Sequence, residues 1–428
     1  MNPTPIWFQY PTFKWKKKHA VIIGGGIAGS QIAWHLCQSN WQVTLIERHD
    51  TLATEASGNL AGVISPKMTA KESIGEDFYT QSYHYTLSQL ATLKQQGHSI
   101  EMDNCGVLQL AHNQREQKRW QALKNRKLPT DFIQLLDEKD TLKIAGINFH
   151  SEQQYKSCYF PKGGWIQPAS FCKALVDHPN CKIIYNSNIL KLKKVYKQWH
   201  VYNKNQELIC QSEVVIIANG KDLFSFEQSS FLPGVPVAGQ TTSSPASAMS
   251  KKLRTVVGHE GYLTPAISFD KHSPNETHIF GATFERNNSK PRISSKSDDK
   301  NLNSLNQYLP EFVKSLREVK SAHIAVRMTT PDRFPYVGVL ADTCAYQKNY
   351  HDLHQGRKWK QYPQAEYQNG LFVLGGLGSR GVITSGYCAK ALSELIANKI
   401  ESNKSIQLLS NCHPARFIIK ALKRNQNL

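Results

Sequence analysis

Gly24, Gly26 and Gly29 stand in "VIIGGGIAGSQIAWHL", between an apolar run and a helical pattern, and Glu47 closes the next apolar run 18 residues after Gly29. That spacing suits a dinucleotide. The first glycine permits a sharp turn, the second lets the backbone approach a pyrophosphate, and the third lets helix pack close to strand. The helix N-terminus supplies partial positive charge to the phosphates. Glu47 can accept hydrogen bonds from both ribose hydroxyls, and its charge disfavours a phosphorylated ribose, which leaves FAD or NAD.

A second glycine turn, "GGLGSRGVITSG" at 375–386, also opens a helical pattern. A helix N-terminus there can stabilise negative charge on a reduced flavin, a feature an NAD enzyme does not need. Small residues in "EASGNLAGVISP" (55–66) let a loop lie against a flavin and its phosphates. The expected cofactor is therefore FAD. Its contacts are expected from Gly24, Gly26, Ile27, Ala28 and Gly29, from Glu47 and Arg48, and from Ser57, Gly58, Asn59 and Gly62. Ala218, Asn219 and Gly220 end the "EVVIIANG" strand, and Gly376, Gly378, Ser379, Arg380 and Gly381 form the second turn; these complete the expected set.

Arg327 in "HIAVRMTTPDRFP" lies on an apolar strand, where an unpaired guanidinium is costly. Its planar fork suits a substrate carboxylate. Three further residues are expected at the reacting end: the Tyr262 hydroxyl in "EGYLTP", Gln240 in "VAGQ" as a pocket wall, and Arg380 near flavin or substrate. No metal is expected. The nine cysteines are irregularly spaced and form no CxxC pair, which reads as free, buried thiols in a reducing compartment.

The elements that must position these residues follow from hydrophobic periodicity. "HAVIIGGGIAGSQIAWHLCQSNWQVTLIERHD" reads as strand, turn, helix, strand, half of a doubly wound α/β domain. "EVVIIANG" reads as a buried parallel strand, 73–95 and 114–125 as helices, and "CGVLQLA" as a strand. Residues 256–267 and 277–284 alternate like antiparallel strands. Residues 287–304 read as a polar loop, and 344–370 as a long, basic, Tyr-rich connection. The expected fold is α/β: a Rossmann-like FAD-binding domain with an inserted antiparallel-sheet substrate domain. The expected boundaries are a linker at 1–17, the FAD domain at 18–84, 155–222 and 325–428 with a basic C-terminal tail, and the substrate domain at 85–154 and 223–324.

The chain is long enough, at 428 residues, for a sizeable core. Its 52 Lys and Arg against 33 Asp and Glu give a net charge of +19, which favours polyanionic partners, nucleic acid before anionic membrane. No apolar run approaches the length of a membrane span and the N-terminus has no signal-peptide pattern, so a soluble, cytoplasmic protein is expected. Trp15, Arg416, Lys420, Lys423 and Arg424 interleave charge with an aromatic, as RNA contacts do, and Lys67, Lys71 and Arg254 are further candidates.

The two glycine turns and the Arg327 strand resemble the D-amino-acid-oxidase-like flavoenzymes, glycine and sarcosine oxidases among them. The likeness extends along the chain. "PIWFQYP", "ASGN", "CGVLQL", "PKGGWIQPASF", "VVIIANG", "VAGQ", "EGYLTP", "AVRMTTPDRFPYVG" and "LGSRG" occur in the order found in the oxidase half of the bifunctional enzymes that modify wobble uridine in tRNA. The resemblance runs on to "PARFIIKALK". It implies FAD-dependent removal of the carboxymethyl group from 5-carboxymethylaminomethyl-(2-thio)uridine, leaving an aminomethyl base and glyoxylate. It also implies tRNA as partner and Arg327 on the substrate carboxylate, with no obligatory side-chain base. The methyltransferase half of those enzymes would precede residue 1 and is absent from the sequence. The chain thus reads as a stand-alone oxidase or a fragment, with a separate methyltransferase protein as candidate partner. Two rival readings are a free glycine- or sarcosine-type amino-acid oxidase, which leaves the charge unexplained, and an FAD-containing RNA-binding protein without catalysis. Arg327 and the "GSRG" turn argue against the latter.

Overall fold

The computed structural model describes residues 4–149, 155–269, 276–316, 318–319, 321–357, 359–400 and 402–426. Two compact units divide the chain: Met1–Thr54, Leu175–Pro236 and Arg327–Leu428 form the first, Glu55–Ala174 and Val237–Val326 the second.

The first unit is built on a six-stranded sheet in the order Tyr336–Ala341, Tyr367–Gly375, Val214–Ile217, His19–Ile23, Gln42–Ile46, Cys181–Ile184. All neighbours run parallel except the first pair. "HAVII" and "VVII" are unbroken apolar runs because both sheet faces are covered. Ile32, Ala33 and Leu36 of the helix Ile27–Gln38 are fully buried, and this helix packs against Gly381–Ile396. Each fully buried Ile or Leu of this kind contributes about 1.5–3 kcal/mol.

The second unit carries a mixed sheet in the order Glu285–Arg286, Val235–Pro245, Thr277–Gly281, Tyr262–Leu263, Val256–Gly258, Val107–Leu110, Ser157–Phe160, Gln134–Leu136, with Ser321–Thr329 also paired to Val235–Pro245. Neighbours in this order run antiparallel except that Val256–Gly258 lies parallel to Val107–Leu110. Leu108, Val257, Leu263 and Phe280 of this sheet share a core with Leu305 and Phe312. A small sheet joins Gly62–Ile64, Gly164–Ile166 and Met102–Asp103.

The division differs from the expected boundaries. Residues 55–84 and 155–174 fall in the second unit, because Gly62–Ile64 pairs with Gly164–Ile166 and Ser157–Phe160 with Val107–Leu110. Residues 223–236 fall in the first, where Leu223, Phe226 and Leu232 share a core with Val215 and Ile217. The expected boundary at 154 lies outside the described residues.

Four segments taken for loops or tails are built into the structure. Ser295–Asn306 is a helix, capped by the Ser294 hydroxyl, with Asn301 and Leu305 buried. Thr343–Tyr350 is a helix capped by Asp342, with Tyr346 and Tyr350 buried. The N-terminal stretch is no linker: Phe13 is buried and stacks on Trp15, whose indole donates to Ile396 O at 2.8 Å. The C-terminal Arg416–Leu422 is a helix that buries Ile418, Ile419 and Leu422. The nine cysteines are free; Cys344 is exposed, whereas Cys37, Cys158, Cys172, Cys388 and Cys412 are buried. Among the described residues no helix is long and apolar enough to cross a membrane.

Candidate active site

The glycine fingerprint lies where its spacing places it, between the strand His19–Ile23 and the helix Ile27–Gln38. Gly24 has φ +110°, and a Cβ there would stand 2.6 Å from Ala218 O and 2.8 Å from Asn219 Cα. A Cβ on Gly29 would run into the Gly24 carbonyl oxygen. Gly26 is the helix N-cap and brings no side-chain oxygen to the first turn, which also carries no acidic residue. Glu47 is buried; its Oε2 accepts the Gly25 N–H at 2.7 Å and its Oε1 the His49 N–H at 3.0 Å. Both oxygens keep acceptor capacity for ribose hydroxyls. Gly25 was not foreseen as a contributor, although the triple glycine was the available signal. Arg48 is engaged by Asp222, Nη2 to Oδ2 at 2.6 Å, so its charge braces the turn that follows Val214–Ile217.

The second glycine turn has Gly376 at φ +69° and Gly378 at φ +58°. The 3-10 turn Gly378–Arg380 leads into the helix Gly381–Ile396, whose N-cap, Arg380, makes no side-chain cap bond and whose first turn has no acid. Thr329 bridges to Leu377, so the strand bearing Arg327 ends on this turn. Arg327 is half-buried, two residues before the bridge. The loop that follows, between Ser321–Thr329 and Tyr336–Ala341, is clamped. Arg416 donates from Nε to Asp332 Oδ2 at 2.8 Å, and from Nη2 to Asp332 Oδ1 at 3.0 Å and to Phe334 O at 2.7 Å. Its guanidinium also lies 4.4 Å from the Tyr336 ring centroid. Arg416 is thereby a structural clamp rather than an open RNA contact, whereas Lys423, 4.9 Å from the Trp7 ring centroid, is exposed. Asp332→Ala strands this largely buried guanidinium and is expected to cost about 1–3 kcal/mol, read as a lowered Tm with FAD bound.

In the second unit, Asn59 Nδ2 donates to Ala61 O at 2.7 Å and to the Tyr262 hydroxyl at 2.9 Å, and that hydroxyl donates to Ala61 O at 2.9 Å. The 55–62 loop and Tyr262 therefore come together, with Thr241 Oγ1 donating to Asn59 Oδ1 at 3.3 Å. Gln240 is not a pocket wall. It is fully buried, its Nε2 donates to Ser294 O at 2.9 Å and Asp298 Oδ1 at 2.8 Å, and its Oε1 accepts the Ser294 N–H at 3.0 Å. Both ends of the amide anchor the helix Ser295–Asn306. A cavity of about 300 Å³ opens beside Gly261 and Gly281, walled in part by His259, Glu260, Glu285 and Lys300. Burial, and then the charge of His112, push His259 down to about 3, so its ring is neutral at neutral pH. Its Nδ1 accepts the Gly261 N–H at 3.2 Å, which puts the proton on Nε2. Lys67 lies 5.6 Å from the Tyr79 ring centroid, and Lys71 and Arg254 are exposed.

A family described as FAD dependent oxidoreductase matches residues 19–395. The chain belongs to this family. The FAD-dependent oxidoreductase is 34% identical over 98% of its length to the tRNA 5-methylaminomethyl-2-thiouridine biosynthesis bifunctional protein MnmC of Pseudomonas syringae pv. tomato, and 33% identical to that of Pseudomonas fluorescens. It spans 62% of the length of these relatives. Among solved structures it resembles glycine oxidase from Geobacillus kaustophilus, with a TM-score of 0.73 and 18% identity over 93% of this chain and 98% of that one. It also resembles iminodiacetate oxidase from Chelativorans sp., with a TM-score of 0.68 and 17% identity over 92% and 98%. These structures carry the fold.

The oxidoreductase's own residues fit FAD. Asn219, at the floor of the Gly24 turn, donates through Nδ2 to Asp222 O at 3.1 Å, but its buried Oδ1 has no hydrogen-bond partner among the described residues. A buried acceptor left so costs about 1–3 kcal/mol, and a donor from a bound group would relieve it. The Gly24 cradle, which a Cβ would fill, and the uncapped first turn of Ile27–Gln38 complete the match.

Proposed function

We propose that this oxidoreductase removes the carboxymethyl group from 5-carboxymethylaminomethyl-(2-thio)uridine at the wobble position of tRNA. The products are 5-aminomethyl-(2-thio)uridine and glyoxylate. The observation that carries this reading is the match to the bifunctional tRNA biosynthesis proteins over 98% of the chain. Methylation of the resulting amine would fall to another catalytic unit, such as a separate methyltransferase.

Bound FAD supplies a two-electron acceptor. The fingerprint glycines and Glu47 hold its adenosine end, and the N-termini of Ile27–Gln38 and Gly381–Ile396 offer positive potential. Arg327 binds the substrate carboxylate with its fork and so fixes the carbon next to the amine. Arg380, in the second glycine turn of the same unit, is a further candidate at the reacting end. Orientation of the C–H bond is the protein's main contribution. Oxidation of the C–N bond gives an imine; water adds, the C–N bond breaks, and glyoxylate leaves. No side-chain base is required when the amine is neutral.

Anaerobic mixing tests this reading. Tight FAD binding and rapid bleaching of the flavin by carboxymethylaminomethyl-tRNA are expected, with glycine and sarcosine ineffective at matched concentration. Brisk bleaching by glycine and none by the tRNA would instead make the chain an amino-acid oxidase.

A further inference from the structure

The charge of the chain has a focus outside the glycine cradle. Ile189–Val195, Gln198–Asn203 and Leu208–Ser212 form a three-stranded antiparallel sheet within the first unit. Five lysines and one acid lie between 189 and 212. Register sorts the side chains: Leu192 faces Val201 and Lys194 faces Trp199, and Leu192, Val201 and Trp199 are buried in the core. The alternate residues, Lys191 opposite Tyr202 and Lys193 opposite His200, therefore share the outer face. Lys191, Lys193 and Lys197 are exposed, and Tyr196 at the hairpin tip is 97% exposed. The one acid, Glu207, sits in the far turn, where it accepts from Asn203.

This sheet lies at the amino ends of the parallel strands. Ser212 Oγ donates to His19 O at 2.8 Å, and Lys194 Nζ and Trp199 Nε1 both donate to Asn369 O, near the start of Tyr367–Gly375. Lys16 N–H donates to Glu213 Oε2 at 2.7 Å, which brings the exposed Lys16, Lys17 and Lys18 alongside the Leu208–Ser212 edge. The glycine cradle lies past the opposite ends of the same strands. A five-residue strand at about 3.3 Å per residue separates the two by about 17 Å.

We propose that this lysine and aromatic face, with Lys16, Lys17 and Lys18 along its edge, is a second binding surface for tRNA, taking its sugar–phosphate backbone. The inference rests on tRNA being the substrate. An amino acid with its carboxylate on Arg327, on the strand that bridges to Leu377 past the carboxyl end of Tyr367–Gly375, cannot reach a surface at the amino ends of the strands, whereas a tRNA extends across it. Lysines spaced along strands neutralise successive phosphates, and His200 and Tyr202 offer rings on which a ribose or an unstacked base can rest. Their placement on a sheet face, rather than on an amphipathic helix, favours RNA over a lipid surface.

The test uses the FAD-loaded full chain and unmodified tRNA, so binding is read apart from oxidation. Lys191→Ala/Lys193→Ala/Lys197→Ala should raise Kd about tenfold or more at moderate salt and reduce the log–log salt slope by about 2, since each lost phosphate contact removes about 0.7–0.9. Lys118→Ala/Lys139→Ala/Lys143→Ala removes the same charge from exposed positions of the second unit and should leave Kd and slope near wild type. Equal losses in both variants, no loss in the first, or a preference for phosphatidylserine vesicles over tRNA would each overturn the proposal. Glyoxylate release from modified tRNA is measured separately. Its absence, with the binding result intact, would sink the proposed reaction and leave the surface standing.

Discussion

Arg327→Ala is expected to lower turnover on carboxymethylaminomethyl-tRNA by about two orders of magnitude or more, while FAD content and the flavin spectrum stay as in the parent protein. A charge-assisted bidentate contact is worth a few kcal/mol, and its loss is felt in kcat and kcat/KM together when it positions the reacting carbon. Arg327 is half-buried on the strand that ends at the Thr329–Leu377 bridge, and it lies outside both glycine turns in sequence. Arg327→Lys should recover only part of the activity, because an ammonium cannot reproduce the planar fork. Steady-state turnover beside the FAD absorbance checks both variants. Near-normal activity in the alanine variant would move the carboxylate site elsewhere.

Gly29→Ala is expected to yield protein without bound FAD. Its Cβ would meet the Gly24 carbonyl, a backbone atom that cannot yield without displacing the Gly24 turn and with it the approach to Ala218 and Asn219. Overpacking of this kind costs about 1–3 kcal/mol in stability, and the displaced cradle adds a loss in cofactor affinity. Gly97→Ala is the control. Gly97 has φ +87° but nothing within 4 Å of an added Cβ, so strain alone applies, about 1 kcal/mol, and FAD should remain bound. The absorbance ratio of flavin to protein after purification reads both. A yellow Gly29→Ala protein would mean that the helix and strand can separate without loss of the site.

The cofactor end was legible because its demands are local. Turn, helix and strand lie within one short stretch, and Gly29 answers to the nearby Gly24 carbonyl, although the wall against Gly24 comes from the distant Ala218 and Asn219. The strand that carries Arg327 was legible for a similar reason, and the guanidinium is half-buried on it. The rest depends on partners far along the chain. Gln240 looked like a pocket residue, yet its amide is spent on Ser294 and Asp298, more than fifty residues on. The helix Ser295–Asn306 was hidden by its polarity: buried Asn301 bonds to Gln240 O and Thr242 Oγ1, which no hydrophobic periodicity reports. The prolines of the N-terminal stretch read as a linker, but its aromatics are docked, with the Tyr346 hydroxyl donating to Trp7 O at 2.7 Å. The orienting pair of Arg48 and Asp222 and the clamp of Arg416 on Asp332 join residues 174 and 84 positions apart. Net charge announced a polyanion without saying where; only strand register puts Lys191 and Lys193 on one face and Lys194, bonded to Asn369 O, on the other.

The most direct measurement is mass spectrometry of the nucleosides of tRNA bearing 5-carboxymethylaminomethyl-2-thiouridine after aerobic incubation with the purified protein, with glyoxylate assayed in the same mixture. The expected result is conversion of that nucleoside to 5-aminomethyl-2-thiouridine, with one glyoxylate formed for each, and no conversion by Arg327→Ala. Unchanged tRNA in the presence of FAD-loaded protein that oxidises glycine or sarcosine would contradict it.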